Sequence, residues 1–247
     1  MTVSRTLTQT RDAFTMSLKS TVADLGLVIA FVVIFPLGFL FFLGLIVQPA
    51  LRPQVLVGSL MMEFALLNIN VLAQSIGGDK RTRIYDLWVS LPISPVVYVV
   101  STALALLPFS LLSAGVTIAI GVLFFGIAVP LGDFGLLLAA LLLVWLSTIG
   151  IGFLIGVYGR NPRQINSVAQ FVGIVMTFFA PVFYPVTALP SLLQYIAYAW
   201  PVTWGAILLH SVLVNGVLEG GVAAGVLAAF TVGWLILIRV GLRWRRV

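Results

Sequence analysis

The chain has no cysteine and a single histidine, and only 8% of its 247 residues are charged. Without cysteine there is no disulfide, no thiolate metal site and no redox pair. His210 is the only imidazole, so a metal centre built on two histidines is excluded within one chain. Ser211 stands beside it, but neighbours in sequence do not have triad geometry, and there is no G-x-S-x-G. A G-x-x-x-x-G-K-S/T phosphate loop is missing too. Gly77-Gly78-Asp79-Lys80 has neither its spacing nor its hydroxyl, so ATP hydrolysis by that route is excluded. Soluble domains are about a quarter charged, and a chain this poor in charge belongs in a membrane.

What fills the chain instead is apolar: 61% of the residues are hydrophobic and the mean hydropathy is +1.18. A helix needs roughly 20 apolar residues to cross the hydrocarbon core. Runs of that kind fall at about residues 25–47, 55–76, 96–125, 135–157, 168–184 and 221–239. They are continuous rather than alternating, which argues against an outer-membrane barrel. The expected fold is therefore an all-α integral membrane protein with six transmembrane helices. No inverted repeat or low-complexity stretch divides it, so residues 1–247 read as one transmembrane domain. Pro36, Pro108 and many glycines lie inside the runs, where membrane helices tolerate them. Small residues in the third, fourth and sixth runs allow close helix approach.

Charge is scarce but ordered. Arg5, Arg11 and Lys19 form one block; Lys80, Arg81 and Arg83 a second; Arg160 and Arg163 a third; Arg239, Arg243, Arg245 and Arg246 a fourth. Two apolar runs separate each block from the next, and the remaining connections hold only Arg52. By the positive-inside rule both termini are expected in the cytoplasm, in a multi-pass membrane protein. The net charge of +6 and pI near 10.2 are absorbed by orientation and anionic headgroups, so no nucleic-acid partner is expected. The polar N-terminus does not resemble a cleaved signal peptide.

Three segments depart from plain spans. In residues 1–24, Leu7, Phe14, Leu18 and Leu25 recur at helical spacing among Arg11, Asp12, Lys19 and Asp24. This suits an interfacial amphipathic helix, the alternative being a disordered tail. Residues 77–94 are the most charged internal segment, polar at first; Ile84, Leu87, Trp88 and Leu91 then form an apolar stripe ending before Pro92. Such a helix either lies on lipid or docks into a groove of a cytoplasmic protein. In residues 181–204, Pro181, Pro185, Pro190 and Pro201 stand among Tyr195, Tyr198, Trp200 and Trp204, with no acid, Lys or Arg between Arg163 and Glu219. A re-entrant element in the outer leaflet fits this composition, with a short helix over 191–199; an external loop with belt aromatics is the alternative. Glu63 is the one acid well inside a span. It is expected to face the interior, to pair with Asn68 or Asn70, or to be protonated, in a functional role or as an interhelical anchor.

These features together resemble the membrane subunit of an ATP-binding cassette transporter of the type-two exporter family, which includes nodulation-factor, drug-resistance and polysaccharide export permeases. One motif is the charged 79–94 loop, with its hydrophobic helix and Pro92-Ile93-Ser94 ending. The other is Phe179-Ala180-Pro181-Val182-Phe183-Tyr184-Pro185-Val186-Thr187-Ala188-Leu189-Pro190-Ser191-Leu192-Leu193-Gln194, followed by Trp200-Pro201-Val202-Thr203-Trp204. Two departures stand out: Arg83-Ile84 where Gly-Thr is usual, and Ala180-Pro181 in place of a small-residue pair.

The resemblance implies that Asp79, Lys80, Arg81, Arg83, Ile84, Asp86, Leu87, Trp88 and Leu91 form a coupling helix on a separate ATPase subunit, present in two copies. It implies a second copy of this chain, facing the first through the first and fifth spans with a substrate path between them. Glu63, Phe183, Tyr184, Pro185 and Pro190 are the expected path and outer-gate residues. No cofactor is expected on this chain; ATP and Mg would sit on the ATPase. An ion- or proton-coupled carrier or channel without an ATPase, and a membrane enzyme or scaffold, are the competing readings. Phe31, Phe35, Phe39, Phe178 and Phe183 either line a path or pack against helices.

Overall fold

The computed structural model describes residues 34–90, 95–129, 134–184, 186–215 and 217–241. The expected helix over 1–24, together with Phe31, Leu91 and Pro185, lies outside them. Among the described residues all regular structure is helical.

At the centre stands one nearly continuous helical rod, Pro49–Arg81. It opens with a 3₁₀ turn, Pro49–Leu51, and α2, Arg52–Ala65. A π-helical segment, Leu66–Val71, follows, and then α3, Leu72–Arg81. Every residue from Val55 to Asn70 is buried. The π segment marks an inserted residue that re-aims Asn68. Its Nδ2 donates to Thr148 Oγ1 at 2.6 Å and to the Trp145 carbonyl at 3.3 Å. The rod outruns the expected span 55–76 at both ends, so Gly77 to Arg81 are helix and not loop.

Around the rod pack α1 (Phe35–Ile46), α5 (Pro95–Phe125), α6 (Phe134–Tyr158) and α7 (Pro162–Phe179). The 31 residues of α5 rise about 46 Å, more than a hydrocarbon core requires. Pro108 sits inside α5 without ending it. Gly126 ends it, with φ +63° and its N–H on the Val122 carbonyl. A Cβ on Gly152 of α6 would lie 2.1 Å from the Asn68 carbonyl oxygen, so the missing side chain lets α6 seat directly on the π segment.

The chain then folds through α8 (Ser191–Tyr198) and α9 (Pro201–His210), bent by 92°. A second π segment, Ser211–Asn215, precedes α10, Val217–Gly241. The short helix expected over 191–199 is therefore present, one residue shorter.

By length and hydropathy, four of the described helices can cross a membrane, or five if the bent pair counts as one span. They are the central rod, α5, α6 and α10, with the α8–α9 pair as the fifth. Two expected spans are not among these described helices. The described part of the first is only the 12 residues of α1. The fifth begins at Pro162 rather than 168 and ends at Phe179, and its first half is polar and exposed at Arg163, Gln164, Asn166, Ser167 and Gln170.

Candidate functional site

Lys80, Arg81, Arg83, Arg160 and Arg163 gather at one end of the bundle, where α3 stops and α4, Ile84–Ser90, crosses the end of the rod. The turn between the two is made by Thr82 and Arg83. The Thr82 N–H donates to the Gly78 carbonyl at 3.0 Å, and its hydroxyl bonds the same oxygen at 3.0 Å. Arg83 adopts φ +61°, a left-handed conformation that a non-glycine residue rarely takes. This is the position where the exporter resemblance leads one to expect glycine.

Two of the charges in this segment face inward. Tyr98, near the start of α5, donates its hydroxyl to Asp79 Oδ2 at 2.8 Å. Lys80 Nζ donates to the Val157 carbonyl and, at 2.9 Å, to that of Gly159. It thereby caps the C-terminal end of α6, where the helix dipole attracts a cation. The same ammonium lies 5.2 Å from the centre of the Tyr85 ring. Tyr85 is 6% exposed and meets Tyr98 edge-on at 6.0 Å. Burial and, behind it, the nearby Asp86 push the Tyr85 phenol up to about 12, so it keeps its proton at any physiological pH.

The outward side of α4 is apolar and charged together. Leu87 is 64% exposed and Ile84 39%, flanked by exposed Arg81, Arg83 and Asp86. The short helix thus holds the bundle by Tyr85 and Val89 and presents Ile84 and Leu87 outward.

A second cluster lies in the middle of the rod. Glu63 is fully buried and accepts from Thr117 Oγ1 at 3.1 Å, and the Ser113 hydroxyl bonds it as well. Asn68 points instead to α6, and Asn70 lies against Gly173 of α7. Glu63 thus faces the interior, and of the partners expected for it Asn68 and Asn70 give way to hydroxyls of α5. Five residues along a helix is about 140° of rotation, which turns Asn68 away. Among the described residues, Glu63 Oε1 and Ser59 Oγ are buried and have no hydrogen-bond partner.

The opposite end carries the proline-rich segment. The Phe183 ring covers Gly58, where a Cβ would come within 2.3 Å of it, and stacks on Phe39 at 5.8 Å. Gln54 Nε2 donates to the Val182 carbonyl at 2.9 Å. Tyr184 is half-buried nearby, while Pro190 is exposed and caps α8. Thr203 Oγ1 donates to the Ala197 carbonyl at 2.6 Å, and Trp204 Nε1 to that of Tyr198 at 2.8 Å. These two bonds tie α9 back across the bend.

The ABC-2 type transporter family model matches residues 8–214, most of the chain. The chain belongs to that family. It is an ABC-2 permease, the membrane component of a transporter. No curated protein matches the chain.

Within this permease, the nine expected coupling residues divide. Arg81, Arg83, Ile84, Asp86 and Leu87 are exposed at the basic end, whereas Asp79 and Lys80 are turned inward. Trp88 sits on α4, and Leu91 lies beyond the described residues. Of the expected gate residues, Phe183 and Tyr184 lie at the end opposite to Lys80, and Glu63 is far from both ends. Sequence reasoning missed Tyr85, Tyr98, Ser113 and Thr117. The last two carried a signal, since Ser110, Ser113 and Thr117 recur at one-face spacing. Tyr85 carried none, because it stands off the apolar stripe that drew attention to α4.

Proposed function

We propose that this ABC-2 permease is the transmembrane subunit of an ATP-driven exporter, and that α4 is the helix on which a separate ATPase subunit docks. The observation that carries this is the two-sided α4: Tyr85 is buried against the bundle, while Leu87 and Ile84 stand exposed among charges at the basic end. Apolar side chains held outward on a rigid short helix suit a groove in a soluble partner. ATP and Mg would be bound by that partner. The positive-inside bias supports a cytoplasmic position for this end and for both chain termini, and the likeness to exporter permeases supports the inner membrane of a prokaryote.

The exporter works as a dimer with two ATPases. Gln170, exposed two turns into α7 and beyond the basic end, supports this, because a lone chain would turn it toward lipid. The substrate path then runs between the copies, with Phe183, Tyr184, Pro185 and Pro190 at its outer end. An ion-coupled carrier without an ATPase rests on Glu63 alone, and hydroxyls of α5 already account for that carboxyl as an interhelical anchor.

The test is co-purification of the permease with the ATPase expressed beside it. Ile84→Ala with Leu87→Ala is expected to abolish the complex and leave the membrane-inserted dimer intact. If the complex survives the double substitution, α4 is not the docking helix.

A further inference from the structure

The exposed face of α4 receives a partner, but a partner's movement has to reach the spans to open anything. Three contacts leave the buried side of α4 and the last turn of α3. The Tyr85 ring meets Tyr98, which begins α5. Tyr98 bonds Asp79 at 2.8 Å. Lys80 lies on the Tyr85 ring at 5.2 Å and holds the carbonyls of Val157, in the last turn of α6, and of Gly159 just beyond it. Of these, only the Lys80 contacts join α4 to a span that is remote in sequence, 77 and 79 residues on. α6 is also the helix seated on the π segment through Gly152, so a shift at its basic end is passed along a rigid element to the middle of the bundle.

We propose that Lys80 is a positioning residue for coupling: its ammonium, pinned between the Tyr85 ring and the carbonyls at the end of α6, passes displacement of the docking helix to that span. The geometry suits this better than a simple staple. A cation lying over a ring face and holding two carbonyls at once forms a short chain of directional contacts. Thr82 and Arg83, the latter at φ +61°, form the turn about which α4 would swing, since the chain is helical up to Arg81 and again from Ile84. The inference rests on the reading of α4 as the ATPase-docking helix.

The absence of cysteine makes the test direct. Tyr158→Cys, on an exposed residue at the end of α6, carries an environment-sensitive fluorophore in the permease–ATPase complex in nanodiscs. Mg-ATP with vanadate should change its emission. Lys80→Met, which keeps the stem and removes the charge, should cut that response about tenfold, within the usual range of a coupling contact. ATPase co-purification and basal ATP hydrolysis should stay near the parent level, and Lys80→Arg should restore the response. An undiminished response in Lys80→Met overturns the proposal. So does loss of the assembled permease in Lys80→Met, because Lys80 would then be a structural staple. If the complex survives Ile84→Ala with Leu87→Ala, the docking reading fails first, and that is read from this double variant and not from Lys80.

Discussion

At Gly152 α6 touches the main chain of the central rod, and no side chain has room between them. A Cβ there would meet the Asn68 oxygen at 2.1 Å and the Ile69 Cα at 3.0 Å, both backbone atoms that cannot rotate aside. Gly152→Ala should therefore destabilise the permease by roughly 1–3 kcal/mol, the usual cost of overpacking. Gly225→Ala, where nothing lies within 4 Å, serves as the control. Thermal unfolding in detergent checks this, and equal midpoints for the two variants would refute the contact. Small residues in the fourth span announced close packing. The particular glycine that meets backbone was hidden, because it depends on the inserted residue of the π segment. Polar residues behaved the same way. Glu63 was visible as a lone acid in an apolar run, yet its partners come from α5, 50 and 54 positions away.

Between residues and the whole bundle, the elements hold best where proline punctuates them. Pro190 and Pro201 bound α8 as the sequence suggests, because neither can continue a preceding helix. The polar stretch 77–81 reads as loop and is helix instead. Asp79 and Lys80 find partners in Tyr98, Val157 and Gly159, so their charges do not need water. Charge predicts exposure only when nothing in the fold answers it. At the other end, the 92° bend between α8 and α9 is tied by Thr203 to Ala197 and by Trp204 to Tyr198. Thr203→Val with Trp204→Phe removes both donors and keeps the shapes. Amide exchange over residues 191–198 should then speed about tenfold, as expected when roughly 1–2 kcal/mol of local bonding is lost. Unchanged exchange would mean that packing alone sets the bend.

For the molecule as a whole, two cations at the opposite ends of the central rod, Arg52 and Lys80, answer each other. Lys80 caps the end of α6 at the basic end, and Arg52 caps the end of α5 at the opposite end. Arg52 Nη1 donates to the Phe125 carbonyl at 3.3 Å, and its guanidinium lies 5.8 Å from the Phe125 ring centre. This accounts for the one basic residue that breaks the charge asymmetry: it serves a helix terminus, where a partly buried cation contributes up to ~2 kcal/mol. Arg52 therefore does not count against the basic end as the cytoplasmic one. Single cysteines can settle the orientation, since the chain supplies none of its own. A cysteine at Arg83 or Arg160 should react with an impermeant maleimide only after the cytoplasmic face is opened. One at Tyr195, 78% exposed on α8, should react in intact cells. Arg52→Gln should leave this pattern unchanged while lowering thermal stability, because the other basic residues still set the topology. If instead Arg83→Cys labels from outside in intact cells, the bundle is inverted, and α4 faces no cytoplasmic ATPase.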